Sequence, residues 1–198
     1  MVTKGLLTKQ NIITKSMHLF SVKGYYNTSV NDILEATNLT KGGLYGHFQS
    51  KEDIWYAVYG QAVTIWKNIV FKDIQKIDDP LKRIEKMLDN DLRNYLGADV
   101  FEGGCFFLNM LVELSGQSRT MSDCILQGFI DFAKLINRWL KEAHAKNLLK
   151  PDLNFNEIAS FIVISLNGSA ALYIATREPR LWELTLTQLK YYINALKK

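Results

Sequence analysis

Apolar residues recur at intervals of three and four along nearly the whole chain, the period of helices that bury one face. The spacing predicts a first helix over Thr8–Val22, striped by Ile13, Met17 and Phe20, with Gly24 as its left-handed C-terminal cap. Ser29, with Asp32 three residues on, forms a capping box that opens a second helix carrying Val30, Ile33 and Leu34. Asn38 marks a sharp turn, because asparagine tolerates positive φ. A short third helix over Thr40–Phe48 adds Leu44 and Phe48 to the core, and Ser50 caps a long fourth with Ile54, Val58, Ile65 and Ile69 in register.

Asp79-Pro80, an N-cap followed by proline at the first helical position, opens a fifth helix through Leu81, Ile84, Leu88 and Leu92, ended by Gly97. A sixth runs over Cys105–Leu114 after Gly103-Gly104. Ile125, Phe129, Phe132, Ile136, Trp139 and Ala143 mark a long seventh, closed by Asn147 and Pro151. Asn154 and Glu157 open an eighth to about Ala175, and Pro179 a ninth striped by Trp182, Leu186, Leu189, Ile193 and Leu196. No strand-like alternation or internal repeat interrupts this pattern. The expectation is an all-α fold: a three-helix helix-turn-helix domain over 1–50 and a six-helix body over 51–198.

The chain's 198 residues, 47% of them hydrophobic, suffice for a real core. Met1 to Gln10 lack the apolar stretch of a secretory leader, and the longest apolar run, near Phe161–Leu166, is broken by Ser and Asn, so no membrane span is expected. Two cysteines are too few for a disulfide scaffold, and a cytoplasmic location is the default. Charge is unevenly placed. The first 51 residues hold six lysines against Asp32 and Glu35, whereas the remainder balances 18 basic with 18 acidic residues. The whole net charge of +4 therefore sits in the first quarter of the chain, as expected of an end that meets a polyanion.

Two short helices joined by a tight turn and braced by a third place the second of the pair in a DNA major groove. That helix begins Thr40-Lys41-Gly42-Gly43, small residues around one long cation, so it can approach a groove floor closely. Tyr45, His47 and Lys51 follow at positions suited to flanking phosphates. Ordinary interhelical packing is the competing reading for Tyr45 and His47. Metal ligation by His47 lacks support, because His18 and His144 are remote in sequence. No nucleophile–base pair or phosphate-binding glycine loop suggests an enzyme, and no cofactor is implied.

The run Ser29-Val30-Asn31-Asp32-Ile33, followed by Leu39-Thr40-Lys41-Gly42-Gly43-Leu44-Tyr45-Gly46-His47-Phe48-Gln49-Ser50-Lys51-Glu52-Asp53, resembles the DNA-binding domain of the tetracycline-repressor (TetR) family over about residues 8–58. The resemblance implies a homodimeric repressor that a small molecule releases from double-stranded operator DNA. It implies that Ser29 touches phosphate while capping its helix, that Thr40 and Lys41 face the groove with Lys41 on a base (guanine by preference), and that Tyr45, His47 and Lys51 contact phosphate. Gly43 stands where the family has Thr or Ser, and Leu34 and Asn38 replace its Ala and Gly.

For the body, the resemblance implies an effector cavity and a dimer interface built from the last two helices. The expected cavity residues are Trp66, Tyr95, Cys105, Phe106, Phe129 and Phe132, with Asn109, Glu113 and Asn167 as polar groups that orient an apolar effector. The expected dimer face is Phe161, Ser165, Gly168 and Leu172 with Trp182, Leu189 and Ile193. The segment Glu102-Gly103-Gly104-Cys105-Phe106 through Glu113-Leu114 also resembles a branch with Gly-Cys at the start of the sixth helix, some members of which sense electrophiles. A thiol at a helix N-terminus can have a lowered pKa, so a thiol switch at Cys105 is the alternative; a small buried hydrophobe is the plainer reading. Cys124 reads as structural.

Overall fold

The computed structural model describes residues 3–198, which form nine α-helices. Helix α1 (Lys4–Lys23) begins four residues earlier than the apolar spacing indicates, because the Thr3 hydroxyl caps it by accepting the Leu6 N–H. Its buried stripe is Ile12, Ser16 and Phe20, with Ile13 and Met17 packed on the flank. Helix α2 (Val30–Thr37) starts at the expected capping box: the Ser29 hydroxyl accepts the Asp32 N–H at 3.1 Å, and Asp32 accepts the Ser29 N–H at 2.7 Å. Asn38 makes the turn in the left-handed region (φ 56°, ψ 42°). Helix α3 (Lys41–Tyr45) is shorter than expected and stops before Gly46. Helix α4 (Lys51–Val70), capped by Ser50, packs across α1 so that Trp55 and Ile54 join Ile12, Phe20, Ile33 and Leu44 in one core.

Helix α5 (Pro80–Asp89) does not run on to Gly97. Residues Asn90–Leu96 form a π-helical turn, in which Gly97 donates to the Leu92 carbonyl, five residues back. The Asn90 side chain, fully buried at this transition, donates to the carbonyls of Val70 and Lys72 at 3.0 and 3.1 Å. It thus satisfies carbonyls that the end of α4 leaves open. Helices α6 (Phe106–Leu114), α7 (Arg119–Ala145), α8 (Phe155–Thr176) and α9 (Arg180–Ala195) complete the body, with α7 packed on α5, α6 and α8.

One sequence expectation is corrected here. Helix α8 is long and apolar enough to cross a bilayer by length and composition, since its Ser and Asn residues interrupt the run without making it polar. In the fold its inner face is packed on α7 and α9, while Phe161, Ile164 and Leu172 remain outside.

Head and body are joined by polar clamps at the end of α1. The Glu113 carboxylate, from the last turn of α6, accepts the backbone N–H groups of Tyr25 at 2.9 Å and Tyr26 at 2.8 Å. Gly24 makes this approach possible: it has φ +85°, and a Cβ there would lie 2.8 Å from the carboxylate oxygens. Gly103 is pressed still closer, because its Cβ would overlap the Ser21 carbonyl. Glu113→Ala strands two N–H groups, and we expect about 2 kcal/mol of lost stability, read as a lower urea midpoint. Glu113→Gln, which keeps one good acceptor, recovers part of it; an unchanged midpoint in both variants excludes the clamp.

Candidate nucleic-acid interface and effector cavity

The α2–α3 unit presents a short, bare helix start. Thr40 is its N-cap, the hydroxyl accepting the Gly43 N–H at 3.2 Å. Lys41 is exposed and makes no hydrogen bond or ion pair among the described residues. A Cβ on Gly42 would meet nothing within 4 Å, so internal packing does not require glycine there. A Cβ on Gly43 would meet Thr40 and Leu39 at ordinary contact distances, so the Thr or Ser of the resembled pattern fits sterically. Ser29 and Tyr45 are exposed beside this surface, Tyr45 at 49%. Ser29, Thr40, Lys41, Gly42 and Tyr45 therefore lie open to solvent around the turn, with Gly43 half-buried.

Lys51 is placed differently from what the motif suggested, and His47 is only partly open. His47 is half-buried, with its ring near Gly5 of α1. The Lys51 ammonium donates to the carbonyls of Tyr25 and Thr28, both at 2.9 Å, and lies 4.2 Å from the centroid of the Tyr25 ring. Burial lowers its pKa, opposed by the nearby Glu113 carboxylate. As placed, Lys51 braces the α1–α2 turn and is not a free phosphate ligand. The sequence motif gives the residue type but not which way four methylenes lead its charge.

In the body, α4, the π-helical turn, α6, α7 and α8 enclose a cavity of about 320 Å³. Trp66, Tyr95, Cys105, Phe129, Phe132 and Asn167 line it, six of the nine expected residues. Trp66 is the hub of the aromatic wall, its ring edge-on to Phe132 at 5.0 Å, Phe71 at 5.3 Å and Phe107 at 6.2 Å. Asn167 donates back to the Val163 carbonyl, leaving its amide oxygen as an acceptor on the wall. The apolar spacing missed Asp91, whose half-buried carboxyl group accepts the Trp66 indole N–H at 2.9 Å. Its pKa is raised to about 6 by burial, which the indole hydrogen bond only partly offsets. Asp91 looks like a solvent-facing charge in a continuous α-helix. Lys67, Asp131 and Arg138 also line the cavity, from exposed positions.

Three expected cavity residues lie elsewhere. Phe106 is fully buried among core side chains. Asn109 donates to the Gly103 carbonyl at 2.8 Å, pinning the loop that abuts α1, and Glu113 holds the Tyr25–Tyr26 turn. Both polar groups satisfy backbone groups at the head–body junction and do not reach the cavity. The thiol switch is also not favoured: Cys105 is buried, and burial pushes its thiol up to about 11, leaving very little thiolate at neutral pH. Among the described residues no three His, Cys, Asp or Glu side chains group as a metal site.

The two C-terminal helices divide their apolar residues between core and surface. Leu189 and Ile193 are buried within the same chain, so these two are core and not interface, while Trp182 packs over Gly97 and is half-buried. Phe161 and Leu172 are exposed as expected, with Gly168 between them and Ser165 half-buried. The outward apolar face also includes Ile164, Leu184 and Tyr191, the last 72% exposed. Helical spacing finds a stripe, but a helix with two apolar stripes does not say which one faces inward.

Residues 12–58 match the model for bacterial regulatory proteins of the tetR family, and residues 80–189 match the tetracyclin repressor-like C-terminal domain. An uncharacterised HTH-type transcriptional regulator from the lacX 3' region of Lactococcus lactis is 32% identical over 184 residues, covering 92% of this chain and 91% of that protein. The HTH-type transcriptional repressor DhaR of Mycobacterium sp. is 29% identical over 165 residues, 81% of this chain and 79% of its own. A TetR transcriptional regulator from Chloroflexus aurantiacus superposes with a TM-score of 0.90 at 25% identity, covering 98% of each chain. The chain belongs to the tetR family of DNA-binding transcriptional regulators.

The Asp91 carboxyl gives the fold a pH signature. A carboxyl whose pKa is raised from 3.8 to about 6 holds its proton more tightly in the folded chain than in the unfolded one. Its contribution is most favourable below about pH 4 and is lost as pH rises through about 6, a penalty on the order of 2–3 kcal/mol at neutral pH. Tyr95 and Cys105 beside it are pushed upward by the same burial and leave this window clear. Asp91→Asn is therefore expected to raise the thermal midpoint at pH 7.5 relative to wild type, with the gain vanishing near pH 4. A wild-type minus variant difference that stays flat from pH 4 to 7 rules this out.

Proposed function

We propose that this chain is a homodimeric transcriptional repressor, released from its operator by a small apolar effector that fills the Trp66–Phe132 cavity. The observation that carries this reading is that one helix, α6, meets both sites. Its first turn places Phe107 in the cavity wall, with the N-cap Cys105 beside it, and its last turn holds Tyr25 and Tyr26 through Glu113. An effector that shifts α6 displaces the turn on which α2 is anchored. Repression is supported by the mycobacterial relative, which is itself a repressor. In a dimer the effector would act by population shift, favouring a separation of the two heads that no longer matches successive major grooves, about 34–36 Å apart.

On this reading the first 50 residues form the reading head and residues 51–198 the sensing body. Lys41 contacts a base, Tyr45 and Ser29 contact phosphate, and Thr40, Gly42 and Gly43 let the helix sit deep in the groove. His47 supports the edge of the contact from its half-buried position. The protein would act in the cytoplasm, on double-stranded DNA. The dimer forms through Phe161, Ile164 and Leu172 of α8 with Leu184 and Tyr191 of α9, around the small residues Ser165 and Gly168. Covering that face also accounts for the apolar exterior of α8.

Fluorescence anisotropy on operator DNA tests the head. Lys41→Ala and Tyr45→Ala should each weaken binding at least tenfold with the thermal midpoint unchanged, consistent with about 1–3 kcal/mol for a base contact. Lys51→Ala should instead lower the midpoint, because it removes the brace under Tyr25 and Thr28. Full-strength binding by both the Lys41 and Tyr45 variants sinks the assignment. The interface is tested by sedimentation: Ile164→Asp with Tyr191→Asp should yield folded monomers, and a persistent dimer would place the interface elsewhere.

A further inference from the structure

The cavity holds a carboxylate with no ion-pair partner among the described residues. Asp91 sits in the π-helical turn, half-buried in the cavity wall, and its one side-chain hydrogen-bond donor among the described residues is the Trp66 indole N–H. No lysine, arginine or histidine pairs with it among the described residues, although this chain pairs its neighbouring carboxylates readily. Two residues earlier, Asp89 takes both Lys190 and Arg93, and Glu85 takes Lys197. A half-buried carboxylate without a counter-charge is costly, and such groups are retained where something else supplies the charge. Around it stand the rings of Trp66, Tyr95, Phe107 and Phe132, and aromatic faces attract cations.

We propose that the effector is an organic cation, an aromatic amine or quaternary ammonium whose charge sits against the Asp91 carboxylate while its apolar part fills the aromatic cavity. The inference deepens the effector reading above and rests on it. The cavity volume suits a small ring system carrying one charged group. Lys67 and Arg138 also line the cavity and would favour an anion, but both are exposed and already solvated, so an anion gains little from them. Asp91 is half-buried against the aromatic wall, and a cation there supplies a counter-charge that the chain does not. Asp131, the other acidic group on the wall, is exposed and already bound by Lys134 and Gln127.

Isothermal titration of the full-length, ligand-free protein with three probes of similar size tests this: phenyltrimethylammonium, its neutral carbon counterpart tert-butylbenzene, and phenylacetate. The cation should bind at least tenfold more tightly than the neutral probe. Asp91→Asn, which keeps the size of the side chain and can still accept the indole N–H, should erase that difference while leaving tert-butylbenzene binding unchanged. Lys67→Ala with Arg138→Ala should leave the cation's affinity intact. Phenylacetate binding best, a cation preference that survives Asp91→Asn, or a cation that fails to saturate at millimolar concentration each overturns the proposal. Operator anisotropy with the same probes separates the two readings. A cation that binds through Asp91 without releasing DNA keeps the ligand class and removes the effector role. Release by the neutral or anionic probe, independent of Asp91, does the reverse.

Discussion

Two backbone N–H groups, those of Tyr25 and Tyr26, point at one carboxylate from another part of the chain, and the relation of head to body depends on that contact. Helix α1 has ended at Phe20–Gly24, and the following turn has no regular partner for its donors. Glu113 supplies the acceptors, Lys51 takes the carbonyls of the same turn, and Gly24 provides the room. A loop seated by Gly103 and tied by Asn109 closes the other side. Beside the apolar packing of α4 on α1, the joint is therefore held by directional polar contacts. Such contacts tolerate a few tenths of an ångström and then break, so they hold one arrangement of head and body sharply.

The body places a contrasting environment at the far end of the same helix. The cavity wall is largely aromatic, and aromatic edges fix the shape of a site without satisfying polar groups. Asp91 is a charged group set directly against the Trp66 ring, brought there by the π-helical turn that follows Asn90. Asn90 is itself tied to the end of α4, and α4 begins in the head with Lys51. The head is thus connected to the cavity by two routes, α4 through the chain itself and α6 through the Glu113 hydrogen bonds. A ligand that favours one arrangement of these helices biases both routes at once, and its effect is bounded by its differential affinity for the two arrangements.

Surface and core follow one logic at the C-terminal end. Helix α9 buries Leu186, Leu189 and Ile193 against the body and leaves Leu184 and Tyr191 outside. Helix α8 divides in the same way, which is why it is apolar enough to resemble a membrane span while nearly half of its apolar window is packed inside the fold. A helix pair with apolar residues on both sides serves two interfaces, one within the chain and one beyond it.

The one-dimensional pattern determined what depends on neighbours in the chain. Helix count, the Ser29–Asp32 capping box, the left-handed Asn38 and the Asp79-Pro80 start all rest on interactions within four residues, and each is present. The bare helix start at Lys41-Gly42-Gly43 was legible for the same reason. Tertiary structure decided where long side chains lead and which stripe faces inward. Lys51 turns back onto the Tyr25 turn, and Glu113 and Asn109 leave the cavity for the joint. Cys105 is enclosed and its thiol suppressed, while Asp91 enters the cavity through a π-helical turn that no local signal announced. These outcomes are set by partners about 10 to more than 80 residues away. Periodicity records that a residue lies on a helix face, but the identity of whatever meets that face is fixed only when the helices pack.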